Sequence, residues 1–224
     1  MKLSKGTLEI LKAATAVNNE IVLNKGNEIR ITKNGYFIMI AEIEEAFPQR
    51  FGISDLGNFI NVISSLKDDF ELEFPSVDRI QIKSGKTKIL YAARDPETIR
   101  EVKGKPKVPF NDIDIFITDE ILNQIEKFSS FLGKLPTLKF ESDGTSPKIK
   151  IYDKKDERNT SLSKNVCEIE ISEENPKNEP YSFILNEDVR LKLIPGSYTI
   201  KFNDRMVRFK NDDRTVEYYV GLSL

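Results

Sequence analysis

Paired carboxylates are the first residues in this chain with the makings of a reaction centre. Asp68-Asp69, Glu173-Glu174 and Asp212-Asp213 could each share a Mg²⁺ ion. All three pairs fall on turn or loop signals, where adjacent acids are ordinarily solvated, and no base or second ligand set converges on them. Histidine, the commonest general base and metal ligand, is absent, and cysteine occurs once, as Cys167. Zinc chemistry is therefore not expected. No GxxxxGKS/T phosphate loop, GxSxG elbow or HExxH helix is present. The chain reads as non-enzymatic, with no cofactor and no metal. What remains is the chemistry of charge: lysines, arginines and asparagines on helices, and acids on strands.

The elements that must position these charges are mostly strands. Phe70, Leu72 and Phe74 alternate with Glu71 and Glu73, giving one apolar and one acidic face. The same period of two recurs at Ile29 and Ile31, Ile80 and Ile82, Ile149 and Ile151, and Cys167, Ile169 and Ile171. It appears again at Tyr198, Ile200 and Phe202 and at Val216, Tyr218, Val220 and Leu222. Lys25-Gly26-Asn27, Asn34-Gly35, Ser84-Gly85 and Asn203-Asp204 are turn signals between them. Antiparallel meanders with one solvated face follow. Four segments read as helices. The first runs from about Ser4, read as the N-cap, to Asn18, with Leu8, Leu11, Ala14 and Thr15 on one face. The second follows Ser54 and turns Leu56, Phe59, Ile60 and Ile63 inward. The third follows Thr118, buries Leu122, Ile125 and Phe128, and ends near Gly133. The fourth is short, from about Asn186 to Leu193, and stops at Pro195-Gly196.

The order of elements repeats. Helix, strands, helix, strands occupies residues 1–92 and recurs over 112–224, so two similar domains are expected. Residues 93–111, with three prolines and Gly104, read as a connector. Asp153 to Asn165 and Ser172 to Pro180 read as exposed loops. The formal charge of −2, from 34 basic and 36 acidic residues, argues against a simple basic DNA-binding module, although charge can be segregated onto separate faces. No apolar stretch is long enough to span a bilayer, and no apolar core follows Met1-Lys2-Leu3-Ser4-Lys5, so neither a membrane segment nor a signal peptide is expected. With a single cysteine, the cytoplasm is the expected compartment.

The opening Met1-Lys2-Leu3-Ser4-Lys5 with Thr7, Leu11 and Lys12 resembles the start of the trimeric sliding clamps of T-even-type bacteriophages. So do Asp55-Leu56 with Phe59, Ile63 and Asp68-Asp69, and, in the connector, Asp95-Pro96, Thr98 and Pro109-Phe110. Phe183-Ile184, Asn186, Pro195-Gly196 and Tyr198 are similar to that family's last helix and turn, and Tyr219-Val220 with Leu222 to its final strand. The resemblance covers nearly the whole chain in order. It implies an α+β DNA clamp fold with two similar domains per subunit, antiparallel sheets outside and two helices per domain lining a trimeric ring. The implied function is to encircle duplex DNA without sequence preference and tether the replicative polymerase as a processivity factor, in the cytoplasm of the infected bacterial host. An ATP-dependent clamp loader would load the ring, and phage late transcription factors are further implied partners.

Under that resemblance the DNA-facing residues are Lys5, Lys12, Asn58, Asn61, Lys127, Lys134, Arg190 and Lys192. Weak phosphate contacts of this kind would hold the duplex without stopping it from sliding. Without the resemblance, these are ordinary solvated helix faces. Glu71, Glu73, Glu168 and Glu170 would give the outer sheets an acidic rim, or simply guard them against aggregation. Subunit contacts would come from edge strands near Lys86–Ala92 and Val166–Ile171, with Ile89, Tyr91, Cys167 and Ile169 as interface candidates. The polymerase's C-terminal peptide would dock in an apolar pocket mapped to Val108, Phe110, Val220, Gly221 and Leu222. The same strand-rich, slightly acidic chain fits a second reading, a β-rich oligomeric phage structural or interaction module with no DNA role. A nuclease and a single-stranded DNA-binding fold fit it less well, since neither a converging acid site nor a basic groove with interleaved aromatics is present.

Overall fold

A computed structural model of the chain describes residues 1–66, 70–132, 136–152, 166–171, 179–185 and 191–223. They divide into two compact units, Met1–Lys105 and Pro106–Leu224. The α+β class and the antiparallel meanders expected from the sequence are both present.

The first unit opens with helix α1 (Lys5–Val17), capped by Ser4, whose side chain accepts from the Thr7 N–H. The helix has no acid in its own first turn. Instead Glu45, reaching over from a strand, accepts from the Ser4 N–H and the Thr7 hydroxyl, setting a carboxylate at the positive end of the helix dipole. Thr7, Ile10, Leu11, Ala14 and Val17 form the buried stripe. Leu8 and Thr15, expected inward, are only half-buried. The helix packs on β2 (Gly26–Lys33) and β3 (Phe37–Phe47), which form a hairpin. Asn34 and Gly35 close that hairpin with φ of 53° and 86°, the left-handed pair that an Asn-Gly turn provides. With β1 (Ile21–Leu23) and β4 (Phe51–Ile53) they run side by side in the order β4-β1-β2-β3. Helix α2 (Leu56–Ser65) follows, capped by Asp55, and buries Leu56, Phe59, Ile60 and Ile63 as its periodicity predicts. A meander of β5 (Glu71–Ser76), β6 (Arg79–Ser84) and β7 (Thr87–Ala92) makes a second sheet in that order. Residues 93–105 belong to this unit: Arg94 and Gly52 exchange backbone hydrogen bonds at 3.1 and 2.9 Å, and Arg50 pairs with Glu97 and Glu101. A Cβ on Gly52 would lie 2.6 Å from the Arg94 carbonyl oxygen, so the approach requires glycine.

The second unit repeats the plan. Strand β8 (Ile115–Ile117) leads into helix α3 (Asp119–Phe131), capped by Thr118, with Asp119 and Glu120 in the first turn. Leu122, Ile125 and Ser129 are buried, and Phe128, expected inside, is half-buried. Strands β9 (Thr137–Ser142), β10 (Lys148–Tyr152), β11 (Val166–Glu170) and β12 (Tyr181–Ile184) form a sheet in the order β11-β10-β9-β12. Reversed, this is β12-β9-β10-β11, the same winding as β4-β1-β2-β3. Strands β13 (Tyr198–Phe202), β14 (Met206–Asn211) and β15 (Val216–Gly221) then form a meander matching β5-β6-β7. The match extends to the edges: β8 pairs with β13, as Met1 pairs with Leu72 of β5 through backbone bonds of 2.7 and 2.8 Å. The fourth expected helix, Lys134, Arg190, and the loops expected at 153–165 and 172–178 lie outside the described residues. No helix among the described residues is long and apolar enough to cross a membrane.

Candidate nucleic-acid and partner interfaces

Each helix presents a polar stripe away from its core. On α1, Lys5, Glu9 and Lys12 are exposed at helical spacing. Helix α2 carries no charge, and its exposed stripe is Asn58, Asn61, Ser64 and Ser65. Its position beside α1 is fixed by Asn19, whose backbone carbonyl accepts from Leu56 N–H at 2.8 Å and whose side chain bridges Gly57 N–H and Asp55. Hydrogen bonds to Asp55, chiefly the one from Asn58 N–H and then that from Asn19, hold its carboxyl below the ordinary pKa. On α3 the exposed stripe is Glu120, Asn123, Gln124, Lys127 and Ser130. Lys192 is exposed beside Leu191 and Leu193, which are buried. Of the eight DNA-facing candidates, the six described residues are thus all solvent-exposed. The amides of Asn123 and Gln124 share the exposed Lys127 face and were not among the residues read from the sequence, which took neutral donors only on the second helix.

The outer faces of the sheets differ from the acidic rim expected. Glu73 is bonded to Lys83 at 2.5 Å and to Gln81 on the neighbouring strand, and Lys83, foremost, keeps its carboxyl below the ordinary range. In the second unit Glu141 takes ion pairs from Lys139 at 2.6 Å and Lys150 at 2.7 Å, which hold its pKa at about 2. Glu168 lies 3.4–3.5 Å from Lys150 and Lys148. Strand pairing therefore brings a lysine of the neighbouring strand within reach of each of these three acids, Lys83 for Glu73, Lys150 for Glu141, and Lys148 with Lys150 for Glu168. Among the described residues no cluster of three or more His, Cys, Asp or Glu could hold a metal.

The four interface candidates sit on sheet edges. β7 ends the β5-β6-β7 sheet of the first unit and β11 ends the β11-β10-β9-β12 sheet of the second. Ile89 and Tyr91 are half-buried, the Tyr91 ring packing at 5.1 Å on Phe59 and its hydroxyl donating to the Asp55 carbonyl. Cys167 is half-exposed and Ile169 is buried. The opposite face of each edge strand is unusual, since Leu90 is 53% and Val166 is 41% exposed. Both are large aliphatic side chains at open strand edges.

The peptide-pocket candidates separate. Val220 is fully buried and paired with Val207, so it is core. Phe110 is half-buried beneath the Arg208 guanidinium, 5.2 Å from its ring centroid, and beside Tyr219. Val108 and Gly221 are half-buried. Leu222, by contrast, lines an open cavity of about 470 Å³ with Asn111, Phe183, Ile184, Phe202 and Ser223. Phe183 and Phe202 form its aromatic floor with centroids 4.5 Å apart, and Asn111, Ser182, Asn203 and Asp204 supply a polar rim. The buried Oδ1 of Asn111 has no hydrogen-bond partner among the described residues. An apolar floor with a few polar groups at its margin suits an extended peptide bearing a large apolar side chain.

No family model matches the chain. It is 28% identical over 227 residues to the sliding clamp of Vibrio phage KVP40, covering 99% of this chain and 98% of that relative. It is 25% identical over 201 residues to the sliding clamp of Enterobacteria phage T4, covering 89% and 86%. Among solved structures it superposes on A. fulgidus PCNA bound to the C-terminal region of FEN-1, with a TM-score of 0.70 at 16% identity over 100% of this chain and 97% of that one. It also superposes on a putative DNA polymerase III beta subunit from Eubacterium rectale, with a TM-score of 0.70 at 12% identity over 100% of this chain and 64% of that one. The fold is that of the DNA clamps, and the resemblance to phage sliding clamps read from the sequence is borne out.

Proposed function

We propose, from its homology to the phage sliding clamps, that this chain is a sliding clamp: it encircles duplex DNA and tethers a replicative DNA polymerase as a processivity factor. The observation that carries the reading is the end-to-end match to a phage sliding clamp, reinforced by two units that wind their strands in the same order. In this reading residues 1–92 and 112–224 are the two clamp domains joined by 93–111, of which 93–105 pack against the first domain. Three copies close head to tail into a ring of six domains, with β7 meeting β11 at each junction. The clamp performs no reaction. A closed ring cannot leave a duplex sideways, so a bound polymerase stays at high effective concentration near the primer end.

The helix stripes supply the bore. Lys5, Lys12, Lys127 and Lys192, with Asn58 and Asn61, offer a few charges among many neutral amides and hydroxyls. Such a surface attracts phosphate without fixing register on the bases. Lys134 and Arg190 are assigned to the same surface by the resemblance. The cavity beside Leu222 is the candidate dock for a polymerase C-terminal peptide, and the FEN-1 segment on the PCNA relative is a precedent for a peptide on this fold. Ring opening would fall to an ATP-dependent clamp loader, and a role with late transcription factors rests on the resemblance alone. The chain acts, in this reading, in the cytoplasm of the infected host.

Two measurements test the function together. Light scattering across a concentration series should give three times the chain mass. The loaded protein should also stay on nicked circular DNA through gel filtration at low salt and run off when the circle is linearised. Equal retention on circles and linear duplex would refute encirclement and leave simple charge attraction. A strictly monomeric chain would leave a β-rich interaction module.

A further inference from the structure

We propose that copies of this chain join in one particular register, with Leu90 of β7 opposite Val166 of the next copy's β11 and Lys88 opposite Glu168, locked by that apolar pair and by charge. The register rests on the reading that β7 and β11 meet, and goes beyond it by fixing which residues face each other.

Backbone geometry restricts the choices first. Ala93 N–H bonds to the Asp78 carbonyl, and Arg79 is the partner of Ala92. In an antiparallel ladder hydrogen-bonding residues alternate, so 87, 89 and 91 direct their backbone groups to β6. Residues 88, 90 and 92 direct theirs to the open edge. On β11, Ile171 N–H bonds to the Pro147 carbonyl and Glu170 is the partner of Lys148. Residues 166, 168 and 170 therefore face the open edge. For strands that meet antiparallel, as every strand pair named above does, only registers that pair even residues with even residues can form the junction ladder.

Side chains then choose among those registers. With Leu90 opposite Val166, two exposed aliphatic groups cover each other, Lys88 meets Glu168, and Lys86 in the preceding turn comes opposite Glu170. On the other face Ile89 meets Cys167 and Thr87 meets Ile169. A slip of two residues one way sets Leu90 against the Glu168 carboxylate. The opposite slip sets Lys88 against Val166 and carries Leu90 past the described end of β11. Only the first register satisfies all three outward-facing pairs. Since a slip by one residue would turn every side chain to the wrong face, no intermediate register competes.

The native Cys167 makes this testable. Ile89 and Cys167 would form a non-hydrogen-bonded pair, in which Cβ atoms lie roughly 4.5–5.5 Å apart, close enough for a disulfide to form with slight adjustment. The Ile89→Cys variant should oxidise to species that migrate as multiples of the chain without reductant and as a monomer with it. Thr87→Cys and Tyr91→Cys should stay mainly monomeric on the denaturing gel. Cross-linking of either of these in preference to Ile89→Cys would overturn the register while leaving the β7–β11 junction intact. A wild-type trimer in which none of the three cross-links would show that the junction lies elsewhere, and a wild-type monomer at every concentration would remove the assembly itself. A second readout serves if a cysteine variant fails to fold. Leu90→Glu should weaken assembly on the order of fivefold, and adding Val166→Lys should restore it by setting an opposite-charge pair where the aliphatic pair stood. No restoration in the double variant overturns the register.

Discussion

Two tyrosines hold the backbone of Ile194, and removing one hydroxyl should both destabilise the second unit and alter its response to alkali. Tyr198 donates to the Ile194 carbonyl at 2.7 Å, and Ile194 N–H donates to the Tyr218 hydroxyl at 3.2 Å. Both rings are fully buried, their centroids 6.3 Å apart. The segment they clasp carries Leu191, Leu193 and Ile194 inward and Lys192 outward. Tyr218→Phe leaves the Ile194 N–H buried without that acceptor, at a cost of about 1–3 kcal/mol. Tyr198→Phe leaves a carbonyl, and the ordinary value of one hydrogen bond, about 1 kcal/mol, is expected. The double variant should cost less than the sum, because both hydroxyls act on one residue's backbone.

The pH dependence follows from burial. Desolvation pushes the Tyr198 phenol up to about 12, does the same to Tyr181, and drives Tyr218 higher still. Below pH 10 folded and unfolded chains both keep these protons, so stability is level. Above it the unfolded chain ionises first, and stability falls by roughly 1.4 kcal/mol per pH unit for each such tyrosine until the folded group titrates. Urea unfolding between pH 8 and 11.5, followed by circular dichroism with tyrosinate absorbance in parallel, should show this fall. The Tyr198→Phe and Tyr218→Phe variants should each lose one proton's share of the slope. Level stability across that range, or a Tyr218→Phe variant as stable as wild type, would refute the clasp.

Three further outcomes are expected. Lys12→Glu should leave the oligomer's mass unchanged but speed its run-off from linear duplex, with a salt dependence shallower by up to about 0.9 in slope for each phosphate no longer neutralised; an unchanged slope would remove α1 from the DNA surface. Leu222→Glu, at the cavity wall, should abolish stimulation of polymerase processivity while leaving DNA retention intact, and equal loss of both would mean that the change damages the fold. Glu45→Ala, which strips the carboxylate from the start of α1, should cost about 1 kcal/mol in urea unfolding, and no cost would show that Ser4 alone suffices as the cap.

Strands with one wet face were the legible ones. Alternation at Leu72, Ile149 and Ile200 marks β5, β10 and β13 because their odd and even residues meet different solvents. The runs Ile21–Leu23 and 37–41 are buried throughout, so the period-two signal disappears there even though these strands are central to the first unit. Helix α1 shifted its stripe toward Thr7, Ile10 and Val17 because packing on β2 and β3, together with Glu45 at its start, selects the face. Charge balance on the sheets was invisible for a different reason. Glu141 lies seven and nine residues from Lys148 and Lys150, and only the register of β9 with β10 makes them neighbours. The cavity likewise joins Phe183 from one sheet with Phe202 from another. Along the chain at the end of β15, moving from Val220 to Leu222 changes a core residue into a cavity wall, a distinction that spacing alone does not make.

The charge distribution bears directly on how such a chain could hold DNA and still move along it. A bore dense in lysine would bind duplex tightly and pay for it in mobility. Here α2 contributes only amides and hydroxyls, α1 offsets Lys5 and Lys12 with Glu9, and α3 offsets Lys127 with Glu120. The sheets do not supply a strong repulsive field either, because Glu73, Glu141 and Glu168 are neutralised by neighbouring lysines. In the proposed clamp, retention on DNA therefore has to come from closure rather than affinity, which throws the energetic demand onto the junctions between copies. Each β7–β11 junction of the register proposed above offers one aliphatic pair, a few ladder hydrogen bonds and charge pairs in an exposed setting. Exposed pairs of that kind contribute about 0.2–1 kcal/mol apiece and weaken with salt. The same salt that loosens phosphate contacts in the bore should then open the ring itself. Residence on a circular duplex and trimer mass, measured over one salt series, should fall together. A trimer that survives in salt high enough to clear the DNA would separate the two and place the retention in the bore.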